Sequence, residues 1–253
     1  MSSEPLVDGR SGFFFAMSLA ILAVVVVGFA PTLYLRAFFD VPPVPFYVLA
    51  HGVALTAWFA CLAAQATLVR AGRVATHRRL GQAGLVVAAA VVVTGLTVTF
   101  GAVHRVRAAG LDLGADTSVL GLTGGQSVLD FLTFVVWANL GSVATFIVLV
   151  AAAVWLRRNG AAHKRLMLLA SLSILAPAIA RIARLPGLGG DTGPVVPLVV
   201  LVLLAAVIVN DWRTLRRVHP ATLAGAGLTI ALAIGAQVAV HSAWGRAFVA
   251  GLG

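Results

Sequence analysis

Cysteine, lysine and glutamate each occur once in this 253-residue chain, and charged residues make up only 10% of it. Cys61, alone in the middle of an apolar run, excludes an intramolecular disulfide. Lys164 stands at the edge of an apolar run, so no lysine is placed inside a bundle to carry retinal as a Schiff base. With Glu4 as the sole glutamate, a carboxylate-rich di-iron site is excluded. The chain has no Walker loop, no G-x-G-x-x-G, no His-Glu-x-x-His and no G-x-S-x-G nucleophile elbow. The H-x-x-x-H of seven-span zinc hydrolases is also missing, since the last apolar run holds only His241.

Apolar residues make up 60% of the chain and its mean hydropathy is +1.03, far beyond soluble usage of about 45–50% apolar. Seven apolar runs cover roughly 12–35, 43–69, 80–103, 127–156, 164–184, 193–215 and 221–249. Each suits a helix crossing a hydrocarbon core, which takes about 20 residues. Lipid offers no partner to backbone N–H and C=O groups, so segments of this length are expected to be helical. The expected fold is all-α, a polytopic bundle of seven transmembrane helices forming a single domain over 1–253. The N-terminal run reads as a retained anchor, because no small-x-small cleavage site follows it before Pro31. Pro177, inside the fifth run, is expected to free the carbonyl of Ser173 and kink that helix.

The net charge of +10 does not point to nucleic acid, because the basic residues cluster in alternate short loops. Arg70, Arg73, Arg78 and Arg79 lie between runs two and three. Arg157, Arg158, Lys164 and Arg165 lie between four and five, and Arg213, Arg216 and Arg217 between six and seven. The positive-inside rule assigns these loops to the cytoplasm, with the N-terminus inside and the C-terminus outside. Anionic lipid headgroups are the expected partners of that face.

Thr76-His77-Arg78-Arg79-Leu80 resembles Ala162-His163-Lys164-Arg165-Leu166, and both sit where the chain turns back into the membrane. His219 precedes Pro220 at the corresponding place before the last run. The stretches His77-Arg78-Arg79-Leu80-Gly81, His163-Lys164-Arg165-Leu166-Met167 and Asp211-Trp212-Arg213-Thr214 with His219-Pro220-Ala221-Thr222 resemble a group of bacterial multipass membrane proteins with no assigned function. The resemblance implies a bacterial cytoplasmic (inner) membrane location and the same topology; it implies no chemistry. Free N–H groups at these helix starts favour an anion. His77, Arg78, His163, Lys164 and His219 are therefore expected to contact lipid phosphate or another anion, or to act as plain helix caps. Asp211 is expected to pair with a neighbouring arginine and not to act as a base.

Polar side chains at membrane depth are costly and are expected to face inward. His51, Trp58 and Gln65 recur every seven residues in the second run; Gln237, His241 and Trp244 fall at i, i+4 and i+7 in the last; Asp130 and Trp137 are seven apart in the fourth. At about 1.5 Å per residue, His51 and His241 both lie about 12 Å below the outer surface. Asp130 and His104 lie nearer that surface, and Arg181 and Arg184 close the fifth run on the same side. If these stripes converge, His51, His241, Asp130 and His104 would ligate a transition metal or haem iron, with Arg181 or Arg184 pairing a propionate. Three roles follow: a cofactor-bearing protein of electron transfer or respiratory-complex assembly, a transporter with the stripes lining a route, or a scaffold working with partner membrane subunits whose polar residues serve helix association.

Overall fold

A computed structural model describes residues 10–41, 43–122, 124–185, 187 and 192–252, so Glu4 and Asp8 lie outside the described residues. Helix α1, Arg10–Phe29, continues through a π-helical turn, Ala30–Tyr34. Then follow α2 (Phe46–Arg70), α3 (Val74–Ala108), α4 (Val128–Trp155), α5 (Gly160–Ser173), α6 (Ala176–Ala183), α7 (Thr192–Leu215), α8 (Pro220–Val240) and α9 (Ala243–Ala250). Among the described residues six helices are long and apolar enough to cross a membrane alone, and α5 with α6, bent by 46° at their junction, reach that length only as a pair, as a broken span or a re-entrant loop. The chain is an all-helical integral membrane protein.

The break has the local cause expected of it. Pro177 sits in the first turn of α6 and offers no N–H to the carbonyl of Ser173. The Ser173 hydroxyl turns back to the carbonyl of Ala170, 2.8 Å away, and α5 ends there.

The last run departs from expectation. It is not one helix over 221–249, because α8 stops at Val240 and α9 starts afresh at Ala243. Ser242 causes the stop: its backbone N–H and hydroxyl both donate to the carbonyl of Ala239, and its Oγ accepts the N–H of Gly245 as an N-cap. Gly245 is required at this corner, since a Cβ there would fall 1.9 Å from the Ala239 oxygen.

Helix α4 is central, packing on α3, α5, α8 and α9, while α1 packs on α2 and α6. The core is apolar from Met17, Ile21 and Val25 of α1 through Phe59 and Phe146 to Leu169 and Leu172 of α5. Close approach depends on glycine where backbones cross; a Cβ on Gly28 of α1 would lie 2.5 Å from the Ala178 oxygen of α6. Helix α7 is the least embedded crossing helix, with Leu198, Leu201, Val202 and Trp212 all exposed.

Candidate functional site

The stripes of α2 and α4 face inward, each toward a different neighbour, whereas Gln237, His241 and Trp244 of the last run are all exposed. His51 Nδ1 lies 2.9 Å from the hydroxyl of Thr94 on α3. That hydroxyl spends its hydrogen on the Ala90 carbonyl at 2.6 Å, so the imidazole donates and Thr94 accepts. The ring lies against Gly95, where a Cβ would approach its Cε1 to 3.3 Å. Seven residues on, Trp58 donates its indole N–H to Ser171 of α5 at 3.1 Å and stands edge-on to Phe146 of α4, with centroids 4.8 Å apart. Gln65 reaches Gly81, and its Oε1 is buried without a protein partner.

The stripe of α4 turns to α9. Trp137 donates to the carbonyl of Gly245 at 3.2 Å, and its ring packs against Trp244 at 4.8 Å. Asp130 accepts the Ser127 hydroxyl at 2.6 Å and pairs with Arg246 at 3.1 Å, both side chains half exposed.

The expected convergence of His51, His241, Asp130 and His104 does not form. His241 is the exposed C-cap residue of α8, and Gln237, one turn before it, is exposed as well. His104 is exposed, and Asp130 is held by Arg246. Among the described residues no group of three histidine, cysteine or acidic side chains is placed to hold a metal ion. Arg181 stacks on Phe29 of α1, 4.3 Å from the ring centroid, and donates to the carbonyl of Pro177, while Arg184 is exposed.

The opposite end of the bundle, which carries the basic loops, holds a more closely built cluster. Arg165 of α5 and Asp211 of α7 form a buried ion pair, 46 residues apart in sequence. Arg165 Nε donates to both Asp211 oxygens, at 2.9 and 3.2 Å, and its Nη1 donates to the Ala161 carbonyl at 2.8 Å. Asp211 Oδ2 also accepts the Thr222 hydroxyl of α8 at 2.6 Å and the backbone N–H of His219 at 3.1 Å. One carboxylate thus ties α5, α7 and α8 together. Arg216 makes this reach feasible: its φ of 56° lies in the left-handed region and turns the chain sharply after α7. Asp211 does pair with an arginine, but not with a neighbouring one as expected: its partner is Arg165, 46 residues away and brought to it by the packing of α5 on α7. Thr222 carried no sequence signal beyond its place in the boundary motif.

The two copies of the repeated motif meet here. His77 and His163 are each the fourth residue of their helix, and their rings stand edge-on with centroids 6.3 Å apart. His163 donates Nδ1–H to the Ala153 carbonyl of α4 at 2.9 Å, whereas His77 Nδ1 is buried without a protein partner. Lys164 lies over the ring of Phe14 at 4.7 Å, and Arg78 is exposed. His219 caps α8 by accepting the Ala221 N–H at Nδ1, 3.1 Å away. Burial, then the charge of Arg165, pushes the His219 pKa below its ordinary value; Asp211 opposes this, and Arg217 and Lys164 add to it. In the loop between α3 and α4, the N–H groups of Gly125 and Ser118, both 2.8 Å away, hold the Asp116 carboxyl below its usual range.

No protein-family profile, curated protein or solved structure matches the chain.

Proposed function

We propose that this protein is a non-catalytic membrane scaffold subunit of a bacterial inner membrane, with its basic loops in the cytoplasm and its C-terminus outside. The observation that carries this reading is the use of its costly polar groups in joining helices: His51 to Thr94, Trp58 to Ser171, Trp137 to α9, and Arg165 with Thr222 to Asp211. Such bonds are the usual work of polar residues inside a membrane bundle. The likeness of the boundary motifs to bacterial multipass proteins agrees with this location.

The test is the optical spectrum and metal content of protein purified in mild detergent. The expected result is no Soret band and metal well below one ion per chain. The double variant His51→Phe/His241→Phe should still insert in the membrane. A Soret band that disappears in that variant would overturn the scaffold reading and restore the cofactor.

A further inference from the structure

Helices α3 and α4 part as they approach the basic end. Toward the other end they meet at Val103 and Val136, both fully buried. Beyond Gly95 and Val143 they separate into an open groove of about 480 Å³. One wall runs from Leu85 to Val92 on α3, the other from Phe146 to Trp155 on α4 and on to Arg157 in the turn that follows. Phe146 forms the floor, 1% exposed and braced edge-on by Trp58. The lining is apolar except at its basic end, where Arg157 is its one charged residue.

The dimensions identify what fits. From Phe146 to Trp155, where α4 ends, the wall rises about 14 Å at ~1.5 Å per residue. Half of a ~30 Å hydrocarbon core is about 15 Å, so the groove has the depth of one leaflet. It ends where a headgroup would be: Trp155 is 85% exposed, and Arg157 is anchored beside it by donating to the Val154 carbonyl at 3.2 Å. An aromatic residue and a cation at this level match the membrane interface and an anionic lipid surface. A second copy fits less well, because a two-fold contact along the membrane normal sets Arg157 against its counterpart at equal depth.

We propose that this groove seats one acyl chain of an anionic phospholipid, with Arg157 against the lipid phosphate. The proposal stands apart from the scaffold reading, since neither requires the other.

The experiment is native mass spectrometry of protein exchanged into detergent with equal phosphatidylglycerol and phosphatidylcholine. The wild type should retain one phosphatidylglycerol with about fivefold preference, the worth of one basic residue near an anionic surface. Arg157→Gln should keep a bound lipid and lose the preference. Ala151→Phe, which projects a ring into the groove, should lose lipid of either kind at an unchanged melting temperature. Equal retention of both lipids by the wild type, or an undiminished preference in Arg157→Gln, would overturn the proposal. So would a disulfide-linked dimer of Ala151→Cys in membranes, formed in a Cys61→Ala background. If Ala151→Phe proves unstable, the exposed Arg157→Gln decides the matter alone.

Discussion

At the scale of single residues, hydrogen-bond bookkeeping separates roles that residue type leaves open. A histidine in an apolar run reads equally as ligand, base or helix tie. For His51 the choice turns on the Thr94 hydroxyl, whose only hydrogen is committed to Ala90. Thr94→Val should therefore destabilise the fold by about 0.6 kcal/mol, with ~1.7 kcal/mol as the upper limit for such bonds in a membrane. His51→Leu in the Thr94→Val background should add less than it does alone, as measured by denaturation in mixed micelles. His219 supplies a pH signature. Its Nδ1 must stay unprotonated to cap α8, and burial with the Arg165 charge lowers its pKa in the folded state. The unfolded chain takes up the proton near pH 6.5 and the folded chain only below that. The stabilisation is full above pH 6.5, is lost as pH falls toward the folded value, and levels off beneath it. His219→Asn, an uncharged cap, should flatten that part of a melting-temperature profile.

At the scale of elements, the ends of helices decide what their middles do. Ser242 and Gly245 turn the last apolar run into two helices, and α9 folds over α4 so that Trp137 and Asp130 gain partners. Asp211 does comparable work for α7, whose other packing is mainly against α6. Removing one member of a buried ion pair leaves an uncompensated charge, which costs about 3–5 kcal/mol. Arg165→Met alone should show that loss, measured as reduced resistance to denaturation in mixed micelles. Arg165→Met with Asp211→Leu should recover much of it, since no buried charge then remains. A double variant as unstable as the sum of its parts would show that the network holds α7 by something other than charge balance.

At the scale of the whole molecule, orientation follows from the basic loops and can be read directly. In a Cys61→Ala background, Asp112→Cys should react with an impermeant maleimide in intact cells, and Arg158→Cys only after permeabilisation. The reverse pattern would invert the topology. Much of this architecture was legible in the amino-acid order because lipid is an unforgiving solvent: it demands runs of fixed length, helical backbone and inward polar groups. The apolar runs and the break at Pro177 follow from that demand and from local stereochemistry. The partners of the polar stripes do not, because heptad spacing gives the face of a helix and not which helix lies opposite. His51 and His241 share a depth in the sequence pattern, yet α2 packs on α1 and α3 whereas α8 packs on α4 and α5. Length, class and the basic loops thus belong to the sequence alone. Arg165 reaching Asp211 across 46 residues, the meeting of His77 with His163, and the groove between α3 and α4 were decided by tertiary packing, because each depends on which helices become neighbours.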